Sequence, residues 1–294
     1  MGSRYEEIMA TKPYLPYRMG YLTDWMVDKA RDELNETDEI KAPALAELRE
    51  LISKDTKLDV WTDDAYLLQY LRARKFNPKK AFNLFKNFYN VKHDYVEVYP
   101  YDLDVDGLRS IFTSGAAGSL PYRDENGCVV FIFKVAKWNP DVFPIKTALS
   151  AMTAIILAAV EDPATQVCGV HIFLDVKGTS FRQIRCITPR YIQLFSKALR
   201  NTLAVRFKGI HIFNESFIFT YLYNIIKIFL TDKIKKRFHF HGDNAKHLHK
   251  IIPKAILPAE YGGDNVNYNE SEWCQREIEL FYDRFTELHK KGYF

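Results

Sequence analysis

The chain has 294 residues, of which 47% are hydrophobic and 27% are charged, so its composition excludes disorder for most of its length. This length is enough for one large domain or for two ordinary ones, each with a substantial core. The formal net charge is only +4, which argues against nucleic acid as a partner, because a general nucleic-acid binder spreads basic charge along a groove.

The first hundred residues are predicted to form a small helical bundle. Thr23 precedes the helical segment DWMVDKARDEL as an N-cap, and Thr62 opens a helix whose first turn is acidic. Asn77 followed by Pro78 is typical of an N-cap and a first-turn proline. Before these helices, the amino terminus has no apolar core of signal-peptide length, and Glu6 stands where a myristoylation signal has Ser or Thr.

From about residue 115 the pattern changes to alternating strands and helices. Two β-rich runs flank the residues DENG at 124–127, which are typical of a hairpin turn. The apolar helix TALSAMTAIILAAVED, the strand GVHIFLDV, the helix TPRYIQLFSKALRNTL and the strand KGIHIF follow. Such alternation predicts an α/β domain with a largely parallel sheet. A last helix is predicted from about Ser271 to His289.

The segment from Phe217 to Leu230 is strongly apolar and precedes the most basic part of the chain. Residues 227–254 carry eight Lys or Arg and only two Asp. Because a membrane span needs about 20 apolar residues, this shorter segment is predicted to lie on an apolar surface without crossing a membrane. The basic residues behind it predict docking to phosphates on a membrane or to an acidic partner.

The sequence contains no recognisable catalytic or cofactor motif. G-x-S-x-G, P-loop and G-x-G-x-x-G patterns are absent, which argues against an enzyme. The cysteines are irregularly spaced, so neither a disulfide framework nor a cysteine zinc site is predicted, and a reducing cytosol is expected. Their positions are Cys128, Cys168, Cys186 and Cys274.

His239 and His241 alternate on one predicted strand, and His247 and His249 follow shortly. An H-x-H strand with a third histidine can build a zinc site. The favoured interpretation is that these histidines gain charge near anionic lipid, and no metal or other cofactor is predicted.

Five motifs occur along the chain in this order: DDAYLLQYLRARKFNPKKAF, GVHIFLDVKGTS, KGIHIFNES, FLTDKIKKRFHFHG and LPAEYGG. Together they resemble the CRAL-TRIO lipid-binding family, over roughly residues 20 to 270, and most of all its branch with alpha-tocopherol transfer protein and cellular retinaldehyde-binding protein. The resemblance implies a helical amino-terminal domain at 1–100, an α/β lipid-binding domain at 101–270 and a C-terminal helix at 271–294. It also implies a closed apolar cavity on a largely parallel sheet, covered by a mobile helical gate at 217–230.

The resemblance further implies that basic side chains hold a phosphoinositide headgroup. The matching positions are Arg74, Arg206, Lys233 and Arg237. A secondary basic patch comprises Lys208, Lys235 and Lys236. Relatives that transfer phosphatidylinositol carry Pro-Glu-Arg where this chain has Ala204-Val205-Arg206, so bulk phosphatidylinositol transfer is disfavoured.

Two prolines that relatives carry around the gate are missing from this chain. The residues Asn214-Glu215-Ser216 replace Asn-x-Pro, and Lys227-Ile228-Phe229-Leu230 replace Lys-Pro-Phe-Leu. Proline fixes φ and lacks the backbone N–H that a helix uses. We therefore predict a more continuous gate helix, without a kink near residue 228.

The candidate pocket residues lie on faces of the predicted elements that should point inward. They are apolar, as a lipid cavity requires: Phe131, Phe133, Ile155, Ala158, Ala159, Ile172, Leu174, Phe217, Tyr221 and Ile225. Candidate polar contacts to the ligand are Tyr122, Ser150 and Thr153, with Tyr221. The small residues Ala154, Ala158 and Ala159 leave room that suits a flat ring or a prenyl-like chain better than two acyl tails.

These observations favour a monomeric cytosolic carrier without enzymatic activity. Its partners are one small isoprenoid-type lipid (a tocopherol, retinoid, carotenoid or sterol) and the phosphatidylinositol phosphates of membranes, with which it associates peripherally and reversibly. Two alternatives stay open: a phosphoinositide-sensing recruitment module and a phosphatidylinositol transfer protein.

Overall fold

The computed structural model describes residues 14–265 and 268–293. Glu6, which bears on the myristoylation signal, lies outside the described residues, and so does the side chain of Cys274. No described helix is both long enough and apolar enough to cross a bilayer.

A group of helices precedes the sheet, as predicted. These helices are α1 (Asp24–Leu34), α2 (Asp38–Ser53), α3 (Asp64–Ala73), α4 (Pro78–Asp94) and α5 (Val105–Thr113). Asn77 caps α4 by accepting a hydrogen bond from the backbone N–H of Lys80, with Pro78 in the first turn. The cap of α3 is Asp63 and not Thr62, because the Asp63 carboxylate accepts the hydrogen bond from the N–H of Tyr66.

The rest of the chain alternates strands and helices, which confirms the predicted α/β domain. A two-stranded antiparallel pair joins β1 (Leu58–Asp59) to the last strand of the chain, β7 (Gly292–Tyr293). The main sheet contains β2 (Ala117–Ser119), β3 (Val129–Lys134), β4 (Val170–Asp175), β5 (Phe207–Phe213) and β6 (Phe238–Phe240), hydrogen-bonded in this order. Only β2 runs antiparallel to its neighbour among these strands, so the sheet is largely parallel. The accompanying helices are α6 (Ile145–Val160), α7 (Pro163–Cys168), α8 (Phe181–Arg185), α9 (Pro189–Lys197), α10 (Phe217–Ile226), α11 (Asp232–Lys235), α12 (Ala245–Leu248) and α13 (Glu270–Lys290).

The main sheet has two differently covered faces, because successive strand residues point to opposite sides. On the front face, Phe131 and Ile172 are neighbours in register and are buried with the side chains of α6. On the back face, Ile132 and Phe173 are neighbours and are buried against the segment 245–261. The sheet thus separates two interior regions.

The gate is not one continuous helix, so that prediction is wrong. The helix α10 ends at Ile226, a 3₁₀ turn follows at Lys227–Phe229, and Leu230 is extended with φ −92° and ψ 141°. Thr231 is extended as well, as the N-cap residue of α11. An N-cap residue has a non-helical backbone, so the start of α11 at Thr231 interrupts the helix. The break therefore forms without a proline.

Candidate functional site

An apolar cavity of about 220 Å³ lies between the front face of the sheet and the helices α6, α9 and α10. Phe133, Leu174 and Phe238 form its floor on β3, β4 and β6. The first half of α6 forms a wall with Ile145, Ala148, Leu149 and Met152. The cavity is partly open, so the closed cavity that the resemblance implies stays a prediction.

The helix α10 covers the cavity with one face and exposes the other. Phe219, Leu222, Tyr223 and Ile226 line the cavity, at the spacing of three and four residues that defines one helix face. Phe217 and Tyr221, which were predicted to point inward, are 78% and 64% exposed on the opposite face. Because α10 is apolar on both faces, its hydrophobic pattern does not indicate which face is turned inward.

The remaining predicted pocket residues divide between the cavity and the surrounding core. Phe133 and Leu174 line the cavity. The structure places the following outside the lining, in the core beside it: Phe131, Ile155, Ala158, Ala159 and Ile172. Ile225 is half-buried and also lies outside the lining. The helix α6 packs against α5 and α13, and small side chains such as Ala158 permit that close approach, so they do not leave volume for a ligand.

The predicted polar contacts do not line this cavity either. Ser150 and Thr153 are buried, and the hydroxyl of Thr153 donates a hydrogen bond to the carbonyl of Leu149. Tyr122 packs against the cluster on the back face of the sheet. These residues therefore lie where a ligand in the cavity does not reach them.

Most of the polar side chains that do line the cavity form hydrogen bonds or ion pairs within the protein. Lys134 forms an ion pair with Glu260. The Nε2 of Gln183 donates hydrogen bonds to the carbonyls of Val135 at 2.7 Å and Trp138 at 2.8 Å. Because these polar groups are already paired within the protein, the cavity wall that a ligand meets is effectively apolar.

Two tyrosines of the cavity lining differ from these paired groups. Tyr191 and Tyr223 contribute to the cavity wall from α9 and α10. Within residues 14–265 and 268–293, their hydroxyls make no hydrogen bond. Each hydroxyl can therefore pair with solvent or with a polar group of a ligand.

A cluster of basic side chains lies beside the first residues of β5. Arg206 and Lys208 flank the start of this strand, and Arg237 precedes β6. Burial, and then the charge of Arg206, lower the pKa of both Lys208 and Arg237. These cations are thus close enough to repel one another, and an anion placed among them is stabilised.

The anion that occupies this cluster is Glu33 of α1. Its carboxylate accepts a hydrogen bond from Arg206 and lies 3.9 Å from the Nζ of Lys208. Partial burial, the largest single influence, raises the pKa of Glu33, but the hydrogen bond from Arg206 and the charges of Arg206, Lys208 and Lys29 together outweigh it and hold this pKa below its usual value. We call Glu33, Arg206, Lys208 and Arg237 the Glu33 cluster.

The other predicted basic residues lie in two places. Arg74 is half-buried, donates a hydrogen bond to the carbonyl of Arg200, and has its pKa lowered by burial. Lys233 and Lys236 are exposed on and after α11, whereas Lys235 forms an ion pair with Asp232 at 3.2 Å. The basic surface therefore contains exposed cations near the gate and, in the Glu33 cluster, two cations that share one carboxylate.

His239 on β6 and His241 just after it lie on the back face of the sheet, away from the cavity. His211 on β5 contacts both of them, with its Nδ1 3.1 Å from the Nε2 of His241 and its ring stacked on His239. Burial and neighbouring histidines lower the pKa of His241 to about 4, and burial lowers that of His239 as well. Burial favours their neutral forms, which contradicts the interpretation that they gain charge at a lipid surface.

Sequence reasoning missed three groups: Glu33, the tyrosines of the cavity wall, and the contacts of the histidines. Glu33 is one of many acidic residues on an exposed helix, and its partner Arg206 lies 173 positions away. A single sequence carries no signal for such a contact. The tyrosines have a weak signal in the high aromatic content of 15%.

Comparisons with known proteins agree with this architecture. The family model described as CRAL/TRIO domain matches residues 113–263, and the one described as CRAL/TRIO, N-terminal domain matches residues 44–87. A human alpha-tocopherol transfer protein-like protein is 32% identical over 93% of this chain and 80% of its own length. Human clavesin-2 is 30% identical over 91% of this chain and 82% of its own length. The solved structure titled "Crystal structure of Sfh5" has a TM-score of 0.53 at 13% identity, over 92% of this chain and 100% of that one, and it supports the fold alone.

Proposed function

The chain belongs to the CRAL/TRIO family, and we propose that it carries one small hydrophobic lipid and releases it at membranes that contain phosphoinositides. This proposal rests on the cavity under α10, which has an apolar wall. Most polar groups of that wall are already paired within the protein. Such a wall offers a ligand contact area without reactive groups. The proposal therefore includes no covalent chemistry.

The size and polarity of the cavity favour an isoprenoid-type ligand. Its volume of about 220 Å³ is below the roughly 300–1,000 Å³ of most ligand pockets. One slender ligand, for which α10 moves outward slightly, fits this volume better than two acyl chains. The hydroxyls of Tyr191 and Tyr223 suit a ligand with one hydroxyl or carbonyl group. A tocopherol, retinoid, carotenoid or sterol has this chemistry, and the name of the tocopherol transfer-like relatives agrees with it.

Release at a membrane is supported by the outer surface of the gate. Phe217, Tyr221 and Ile228 are exposed there, and Ile228 is 75% exposed. Exposed Lys233 and Lys236 follow within a few residues. Apolar side chains beside cations are typical of a surface that enters the headgroup region of an anionic membrane. We expect this surface to dock and the cavity to open toward the bilayer.

The first test is to identify the bound lipid. The purified protein is incubated with a lipid extract of its own tissue, and the bound lipid is recovered with organic solvent and measured by mass spectrometry. A single enriched isoprenoid lipid supports the carrier. Phospholipid alone supports phosphatidylinositol transfer, and an empty extract from folded protein that still binds phosphoinositide vesicles supports the recruitment module.

A matched pair of variants tests whether the lipid occupies this cavity. Ala148→Trp fills the cavity from α6, and Lys146→Trp places the same side chain on the exposed side of the same helix. We expect Ala148→Trp to reduce the recovered lipid at least tenfold and Lys146→Trp to leave it unchanged. Equal recovery from both variants would mean that the lipid binds elsewhere.

A further inference from the structure

A buried carboxylate oxygen without a partner lies at the turn between β2 and β3. The Oδ1 of Asp124 accepts hydrogen bonds from the backbone N–H groups of Asn126 at 3.0 Å and Cys128 at 2.7 Å. The Oδ2 of the same carboxylate has no hydrogen-bond partner among the described residues, although Asp124 is only 3% exposed. A buried charged oxygen of this kind is costly unless something binds it.

The unpartnered oxygen points to His171 on the neighbouring strand β4. The Nε2 of His171 lies 3.4 Å from Asp124 Oδ2, which is longer than a charge-assisted hydrogen bond of about 2.8 Å. Zinc bonds of about 2.0–2.1 Å to nitrogen and oxygen, at a tetrahedral angle, place the two ligand atoms about 3.3 Å apart. The observed separation therefore fits a bridging cation better than a direct hydrogen bond.

A thiol completes the group. Ligand atoms of Asp124, Cys128 and His171 all lie within 4.8 Å of one another, and the three residues are buried. The Cys128 thiol is buried, and a thiol must lose its proton to bind a metal ion. A metal ion that displaces its proton would supply the charge that a buried thiolate needs.

The ring of His171 is held in the orientation that such a site requires. Its Nδ1 lies 2.9 Å from the Nε2 of His211, which in turn contacts His241. Gly209 makes room for this contact, because a Cβ at that position would lie 2.7 Å from the Nε2 of His211 and 2.9 Å from the Nδ1 of His171. Metal-binding histidines usually have their second ring nitrogen hydrogen-bonded in this way.

We propose that Asp124 Oδ2, Cys128 Sγ and His171 Nε2 form a buried site for one divalent, thiophilic metal ion such as Zn²⁺. The carboxylate and the thiolate together carry two negative charges, which balance the ion. Binding releases the thiol proton of Cys128 to solvent and breaks no other covalent bond. The site joins the β2–β3 turn to β4 on the side of the sheet away from the lipid cavity, so it is independent of the proposed carrier function.

The test uses Co²⁺ as a spectroscopic probe in the full-length protein. Chelator-treated protein is equilibrated with Co²⁺, and the near-ultraviolet charge-transfer band of a cobalt–thiolate bond is recorded. We expect one Co²⁺ per chain, a band that Cys128→Ser abolishes, and an unchanged band in Cys186→Ser, which alters a thiol outside the site. No band in the parent protein, or a band that survives Cys128→Ser, would overturn the proposal.

A second pair of variants keeps the test decisive if Cys128→Ser does not fold. Asp124→Asn and His171→Gln keep the sulfur and have similar volumes, and near-ultraviolet circular dichroism checks their folding. We expect each to weaken Zn²⁺ binding by more than about 100-fold, because even outer-shell partners are worth 10–100-fold. Unchanged Zn²⁺ affinity in both folded variants would show that the metal binds elsewhere and would overturn the proposal.

Discussion

The two faces of the main sheet are built by the same strands but differ in how they are filled. On the back face, Phe173 packs edge-on against Tyr261 with ring centroids 4.7 Å apart, and Phe213 contacts the same ring. On the front face, the next residue, Leu174, is half-buried and borders the cavity. One face is close-packed and the other retains empty space. A retained cavity costs stability, which indicates that the front face is adapted to a ligand and the back face to holding the fold.

The largest expected effect comes from truncating neighbouring residues on opposite faces. Phe173→Ala should lower the free energy of unfolding by about 4 kcal/mol, because the deletion creates a new cavity in a close-packed cluster. Leu174→Ala should cost only about 1 kcal/mol, because the side chain already borders empty space. Urea unfolding of the two variants measures the difference.

Lipid binding gives the opposite ranking for this pair. Leu174→Ala should change the affinity for the bound lipid, whereas folded Phe173→Ala protein should keep it. If both variants lose stability equally and neither affects lipid binding, the front face is ordinary core and the comparison between the faces fails.

The next effect concerns the buried histidines of the back face. The pKa of His241 is lowered to about 4 by burial and by the neighbouring His239 and His247, against about 6.5 in the unfolded chain. Between pH 6.5 and 4 the unfolded state therefore binds the proton and the folded state does not. Stability should fall as the pH is lowered through this window, by up to about 1.4 kcal/mol per pH unit for this one group, and become level below pH 4.

Replacing the group tests this assignment. His241→Gln should reduce the slope of the free energy of unfolding against pH between pH 6.5 and 4. The reduction should correspond to nearly one proton taken up on unfolding. His93→Gln is the matched control, because the side chain of His93 is 74% exposed. An unchanged slope in His241→Gln would mean that other groups control the acid sensitivity.

Sequence reasoning succeeded where the physics is local and failed where it depends on distant contacts. The β2–β3 hairpin, the parallel strands and the cap at Asn77 follow from neighbouring residues, and all were predicted. The outward orientation of Phe217 could not be predicted, because α10 is apolar on both faces. The meeting of Asp124 and His171 joins residues 47 positions apart through strand pairing, and periodicity does not specify such pairs.

The exposed face of the gate should matter for membranes and not for folding. Replacing Phe217 and Tyr221 by serine removes two exposed side chains that we expect to enter the bilayer. Vesicle binding should weaken by about 2 kcal/mol, or roughly 30-fold, while the free energy of unfolding stays within about 0.5 kcal/mol. Sedimentation with phosphoinositide vesicles measures the binding.

The control for this variant is Leu280→Ser, which removes a side chain that is 71% exposed on α13. It should leave vesicle binding unchanged. Equally weakened vesicle binding in both variants would indicate that exposed apolar side chains bind vesicles nonspecifically. The gate would then no longer be the docking element.

The smallest expected effect concerns the Glu33 cluster. Glu33 occupies Arg206 and partly neutralises Lys208, so a headgroup phosphate must displace its carboxylate to bind there. Glu33→Gln removes the competing charge and should raise the affinity for phosphoinositide vesicles by up to about fivefold, because a partly exposed ion pair contributes at most about 1 kcal/mol. The same change should lower the free energy of unfolding by less than that amount.

Asp32→Asn separates competition at Arg206 from a simple change in net charge. It removes one negative charge from the same helix, at a residue that pairs with Arg31 and not with Arg206. If competition is the mechanism, Glu33→Gln strengthens vesicle binding more than Asp32→Asn, and its advantage shrinks at high salt because the headgroup contacts are screened. Equal gains would mean that only net charge matters, and weaker binding in Glu33→Gln would mean that the carboxylate positions Arg206 for the headgroup instead of blocking it.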